Sequence, residues 1–168
     1  VFLSEGRAGM ELQSYTETPL AAGIIVQGDI NNREKVVEVL RSYRLRFGIK
    51  YANACMPERK AYLYQTLLSG TGTGLGDLRK AVEFDFESHV PLPPNEAVFD
   101  FEPIRRIESG LVGGVTAYAK RMVHEYASVF ASAGILLRGL EVESQALARA
   151  VSGPEDRARA VMIIDFGK

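Results

Sequence analysis

The segment 161–164 (Val-Met-Ile-Ile) runs into Asp165, Phe166, Gly167 and Lys168, and these are the residue types in the chain best suited to chemistry. An apolar strand that ends in Asp-x-Gly can carry a carboxylate to a cleft, where it meets a metal ion or its water shell. The glycine then lets backbone N–H groups approach phosphate closely. The pattern is short, and any buried strand that turns at a glycine reproduces it. Upstream, a short strand-like stretch begins at Gly139 and ends at Glu141. A helix to about Val151 follows, in which Ala146, Ala148 and Ala150 leave room for a close neighbour.

Other chemistry-bearing groups read as structural. The run 69–76 is rich in glycine but lacks the Gly-Lys-Ser/Thr ending of a P-loop, so it reads as a mobile loop. Glu83, Asp85 and Glu87 fall on one predicted helix and read as a solvated face. His89 ends that helix, where a partly positive imidazole opposes the C-terminal dipole, and His124 lies off an apolar stripe. Neither has a second ligand at metal spacing, which argues against zinc. The single cysteine, Cys55, excludes an internal disulfide and reads as a small core residue of a strand. Arg41, Arg44 and Arg46 share a helix with Glu34 and Glu38, the pattern of a solvated face.

The elements that position these groups follow from periodicity. Residues 1–3 and 10–16 read as a hairpin, and 23–28 as a short extended segment. A helix is expected over 34–47, with Val36, Val37, Leu40, Tyr43 and Phe47 on one face, turn and N-cap residues at 29–32 and Gly48 just past its end. Strands are expected over 49–56 and 61–68, joined by Pro57, Glu58, Arg59 and Lys60. A helix over 77–89 has Asp77 as N-cap and Leu78, Ala81, Val82, Phe84 and Phe86 as its apolar set. Strands at 96–104 and 111–118 precede the most regular stripe in the chain, Met122, Val123, Tyr126, Val129, Phe130 and Ala133, on a helix over 120–133.

The 168 residues carry a formal net charge of −1 and are 46% hydrophobic, so one respectable core or two small ones can form. No long-range field favours nucleic acid. No apolar run approaches the ~20 residues that span a bilayer. The chain starts at Val1 without a basic-then-apolar leader, and it is expected to be a piece of a longer soluble polypeptide. The order of elements predicts an α/β unit interrupted by an inserted β-α-β unit.

Several segments together resemble the actin-like ATPase superfamily, and more closely its PilM family of type IV pilus assembly proteins, relatives of the division protein FtsA. They are Met56-Pro57-Glu58-Arg59-Lys60-Ala61-Tyr62-Leu63, Ala81-Val82-Glu83-Phe84, His89-Val90-Pro91-Leu92-Pro93, Glu96-Ala97-Val98-Phe99-Asp100-Phe101 and Glu141-Val142-Glu143-Ser144-Gln145-Ala146. The resemblance covers essentially the whole chain. It implies a fragment of one actin-like lobe: subdomain 1A over 1–49 and 119–168, with the SHS2-like subdomain 1C inserted over 50–118.

By this resemblance the first phosphate loop would precede Val1, the rest of the second would follow Lys168, and the second lobe would be missing. Asp165 would face the magnesium of ATP, Gly167 and Lys168 would belong to the phosphate turn, and Glu141 would orient metal-bound water. Lys168 stands where actin-like ATPases commonly carry glycine, which implies at most weak hydrolysis in the whole protein and none in this piece. The resemblance also implies a cytoplasmic scaffold. It would dock the N-terminal tail of the inner-membrane protein PilN in a groove between 1A and 1C, and reach the membrane through PilN and other pilus components. Strand 61–68 and helices 77–89 and 120–133 are the expected walls of that groove. The alternatives within the same fold are an FtsA-like division protein, which needs a C-terminal amphipathic helix, and a genuine ATPase or sugar kinase. An unpaired sheet edge in such a piece predicts a homodimer formed through strand pairing.

Overall fold

The first helix shows how closely local sequence dictates local structure. In the computed structural model, which describes residues 1–6, 9–68, 75–153 and 160–164, helix α1 spans Arg33–Phe47. Asn32 caps it by accepting from the Lys35 N–H at 3.1 Å, which satisfies one of the orphan donors of the first turn. Gly48 ends it at φ 65°, donating its N–H to the Arg44 carbonyl, in the left-handed region that glycine enters without steric penalty. Before it come two small hairpins. Strands β1 (Phe2–Gly6) and β2 (Gly9–Ser14) pair antiparallel, as do β3 (Ile25–Val26) and β4 (Asp29–Ile30). The second turns through Gln27 and Gly28, both at positive φ, as a two-residue hairpin loop requires.

Strand β5 (Tyr51–Met56) pairs in parallel with β9 (Leu136–Val142), more than eighty residues further on. Between them lie β6 (Tyr62–Leu68), α2 (Leu75–Phe86), β7 (Ala97–Ile107), β8 (Gly110–Ala119) and α3 (Lys120–Ser132). A final helix, α4, spans Glu143–Val151. Strands β6, β8 and β7 form an antiparallel sheet with β8 in the middle. This is the mixed α/β architecture that the order of elements predicts.

Two cores result. Val37 of α1, Val129 and Ala133 at the end of α3, and Ile30 and Ile135 make one. Arg33 and Arg41 lock the same helix pair by donating to Ser132 Oγ at 2.7 Å and to the Ser132 carbonyl at 3.0 Å. The second core lies between α2 and one face of the three-stranded sheet, where Leu78, Val82 and Phe86 meet Leu68, Val115 and Ala117. Gly113 is required there: a Cβ at that position would lie 1.8 Å from the Phe101 ring.

Among the described residues β1 and β2 pair with each other, and β9 pairs with β5. Several expectations are corrected. Helix α2 begins at Leu75, so Asp77 lies within it and is no N-cap. Helical spacing from Leu78, Val82 and Phe86 turns Phe84 outward, where it is 92% exposed. Cys55 is exposed rather than core, because alternation along β5 leaves Tyr51, Asn53 and Cys55 on the open side and buries Met56. Residues 161–164, read as a buried strand, form no strand, and all four are exposed.

Candidate functional site

Alternation in β7 and β8 decides which side chains meet α2 and which do not. Phe99, Phe101, Val115 and Ala117 pack toward α2. Their neighbours Val98, Asp100 and Glu102 on β7, and Gly114, Thr116 and Tyr118 on β8, point to the other side. That side is the wall of a cleft of about 400 Å³. Across from it stand Met56 at the end of β5, Val123 of α3, Leu140, Glu141 and Val142 of β9, and Gln145 of α4. The cleft thus lies where the three-stranded sheet meets the parallel β5–β9 pair. Helix α3 lines this cleft through Val123, α2 covers the opposite face of the three-stranded sheet, and among the described residues β6 is not in the lining.

The floor is apolar and fixed. Met56, Tyr118, Met122 and Val142 form a buried cluster with Val123 and Leu140 against it. Tyr118 reaches across the two chain crossings that join the sheets, and its hydroxyl donates to the carbonyls of Pro57 at 3.3 Å and Met56 at 3.4 Å. Burial, and then the nearby Glu58, push its phenol up to about 12. The turn after β5 is held from below as well. Lys60 Nζ donates to Asp29 Oδ2 at 2.6 Å, which holds the Asp29 carboxyl below its ordinary value. Tyr126 donates to the Gly28 carbonyl at 2.8 Å.

Charge in the cleft is one-sided. Asp100, Glu102 and Glu141 line it, and among the described residues no lysine, arginine or histidine does. Glu141 accepts a hydrogen bond from Arg149 of α4, and this bond raises the pKa of the guanidinium. Cys55 lies opposite Glu141 in the strand register; desolvation, then the Glu141 and Glu143 carboxylates, push its thiol up.

Glu141 is therefore the one site residue expected from sequence that the described structure places, and it belongs to this cleft, tied to Arg149. Asp165, Gly167 and Lys168 lie outside the described residues. Among the described residues no group of three His, Cys, Asp or Glu side chains could hold a metal ion. With the Glu141 carboxylate engaged by Arg149, the described residues do not by themselves make a magnesium or phosphate site. Asp85, read as part of a solvated face, instead accepts from Thr66 Oγ1 at 2.6 Å. It also lies 3.4 Å from His89 Nδ1, while the His89 ring stacks on Tyr64.

Sequence reasoning missed the roles of Asp100, Glu102 and Gly114. The alternation of Val98, Asp100 and Glu102 with Phe99 and Phe101 was the available signal. It marks a half-buried strand but not what its open face looks onto. A second cleft, of about 620 Å³, lies between the start of β1, the end of α1 and the start of β5, with Phe2, Phe47 and Tyr51 in its lining. Arg138 covers the Tyr51 ring there, 4.2 Å from its centroid.

Comparison with known proteins adds a family and a fold. The family described as type IV pilus assembly protein PilM matches over residues 1–168. Among solved structures, a chain of the PilM-PilN type IV pilus biogenesis complex is similar at a TM-score of 0.76 and 19% identity, over 88% of this chain and 44% of that one. The cytoplasmic domain of EpsL, an inner-membrane component of the type II secretion system of Vibrio cholerae, is similar at a TM-score of 0.52 and 10% identity. That likeness covers 71% of this chain and 46% of that one. The chain thus spans less than half the length of either. No curated protein matches.

Proposed function

The chain belongs to the type IV pilus assembly protein PilM family, and from that premise we propose that it docks an extended segment of a PilN-type inner-membrane partner in the cleft between β7–β8 and β5–β9. The observation that carries this reading is the cleft itself, which has a rigid apolar floor between two sheets and is open to solvent on one side. Its likeness in fold to a chain solved in a PilM-PilN complex supports the choice of partner. Such a groove suits an extended peptide, with side chains seated on Met56, Tyr118 and Leu140 and backbone groups along the open edge of β7. Among the described residues no helix is long and apolar enough to cross a membrane. The proposed role is that of a scaffold held at the cytoplasmic face of the inner membrane by its partner.

Isothermal titration of a synthetic PilN N-terminal tail tests the reading. The nearest atoms a Cβ at Gly114 would meet are those of the Ile104 side chain, from 3.5 Å, and the Glu102 carbonyl oxygen at 4.0 Å, all at ordinary contact distance, so Gly114→Val fills the cleft while leaving the sheet intact. The expected result is binding to the unaltered chain and a loss of about tenfold or more with Gly114→Val, the cost of forcing methyl groups into an occupied groove. Equal affinity for both chains, or no binding to either, overturns it.

Two further proposals concern the longer protein and the sheet edges. In the longer protein, ATP with magnesium would be held with the help of Asp165, Gly167 and Lys168, and Asp165→Ala is expected to abolish binding of a fluorescent ATP analogue. Undiminished binding contradicts this. Among the described residues strands β1 and β5 each have one paired neighbour, and strand pairing at such an edge is the proposed route to a homodimer. A monomer mass independent of concentration in sedimentation contradicts that.

A further inference from the structure

The docking cleft is not electrically neutral, and its asymmetry indicates what its occupant carries. Asp100 and Glu102 stand two residues apart on the face of β7 that borders the cleft, and both are exposed. Asp100 is held in place because its Oδ1 accepts from the Phe101 N–H at 2.8 Å, which leaves its second oxygen open. Among the described residues neither carboxylate has a cation within ion-pair distance. Glu141, on the far wall, is already matched by Arg149. The two ends of the cleft therefore differ: an apolar floor at Met56, Tyr118 and Leu140, and an uncompensated pair of negative charges along β7.

We infer that the cleft reads a short extended peptide that places apolar side chains on the floor and an arginine or lysine against Asp100 and Glu102. This rests on the docking reading above and adds the charge of the ligand to it. Two arguments carry it. An apolar peptide without a cation would cover two carboxylates and leave them without partners, a desolvation cost that a positive side chain offsets. Carboxylates spaced along one strand face also suit a guanidinium, whose planar fork can bond two acceptors at once. An acidic residue at the same place in the ligand would meet like charge. The wall therefore rejects wrong partners as well as attracting the right one.

A charge-swap titration tests this with synthetic PilN tail peptides, one unaltered, one with its basic residues replaced by glutamine, and one with them replaced by glutamate. These are titrated into the unaltered chain, an Asp100→Asn, Glu102→Gln chain and an Asp100→Lys, Glu102→Lys chain. Both carboxylates are exposed, so the variants are expected to melt like the parent, checked by circular dichroism. The expected result is a loss of about tenfold when either the peptide's cations or the two carboxylates are neutralised, with no further loss when both are. The glutamate peptide should bind the lysine variant more tightly than it binds the unaltered chain. The unaltered pair should weaken with added salt. If all three peptides bind the unaltered chain alike and Gly114→Val still weakens them, the charge reading is overturned while docking in the cleft stands. If the unaltered peptide does not bind the unaltered chain, both readings fall.

Discussion

The three-stranded sheet and the opening third of the chain meet the same problem, covering apolar surface with few residues, in opposite ways. Around β8 the solution is complete on one side: Val82 and Phe86 of α2 are 0% exposed and Val115 is 1% exposed. Around β1 and β2 it is open. Phe2, Leu3, Leu12 and Tyr15 are exposed, and a cleft separates the hairpin from Tyr51 of β5. The contrast shows where rigidity and where adaptability reside. An antiparallel sheet with a helix across one face closes locally, so its other face can serve as a firm wall for a ligand. Two-stranded hairpins have no such cover and depend on neighbours.

The sharpest way to break this comparison is a pair of truncations. Phe86→Ala removes a fully buried ring from between α2 and β8, and it is expected to cost about 3–5 kcal/mol in urea unfolding. Phe2→Ala, at a half-exposed position, is expected to cost under about 1 kcal/mol. Equal costs would erase the distinction between the two regions.

The turn that joins them comes next. Gly28 sits at φ 88°, and a Cβ there would lie 2.2 Å from Pro57 Cγ. Gly28→Ala is therefore expected to destabilise by about 1–3 kcal/mol, through the strained backbone and the displaced proline ring together. A melting temperature unchanged from the parent would show that the β3–β4 turn does not support the base of the cleft.

Tyr118 gives a pH test of the same junction. Its folded-state value, pushed up to about 12, lies above the ordinary tyrosine value near 10. The unfolded chain therefore loses the proton first as pH rises. The stability linked to Tyr118 is fully present below about pH 10 and is lost as pH climbs toward 12. Tyr118→Phe should flatten that alkaline decline while losing the hydrogen bonds to the Met56 and Pro57 carbonyls. An identical alkaline profile in the variant would exclude Tyr118 as its source.

The smallest expected effect separates two polar groups under α2. Among the described residues the buried Tyr64 hydroxyl has no hydrogen-bond partner, so Tyr64→Phe is expected to be neutral or slightly stabilising. Thr66→Val deprives Asp85 of its 2.6 Å donor and should cost about 1–2 kcal/mol by the same measure. The reverse order would mean that the packing of the Tyr64 ring, and not the hydrogen bonding, sets the balance.

How much of this was legible in the residues depends on how local the signal is. Helices α1 and α3 could be read directly, because Val37, Met122 and Val129 recur at helical spacing and Gly48 and Gly134 close the ends. Helix α2 is expected over 77–89 and spans Leu75–Phe86, and its expected inward set wrongly includes Phe84, which falls off the helical spacing of Leu78, Val82 and Phe86. Cys55 was misread because alternation in a strand gives two faces without saying which is buried. The parallel pairing of β5 with β9 was beyond reach, since no local pattern specifies a partner eighty residues away. The cleft shares that difficulty. Asp100 and Glu102 look like the solvent side of β7 until β9 and α4 are placed opposite them. Glu141 was picked out by resemblance alone, and its partner Arg149 came from the fold.

In the proposed docking, the wall formed by β7 and β8, and not the open groove beside β1 and β5, receives the partner's peptide. Amide chemical shifts of the isotope-labelled chain, followed while a synthetic PilN tail is added, test it most directly. The account predicts that the large changes cluster at 98–102, at Gly114 and Thr116, and at 140–145, with little change at 1–3 or 47–53. Changes concentrated at Phe2, Phe47 and Tyr51, with Asp100 and Gly114 unmoved, would contradict it.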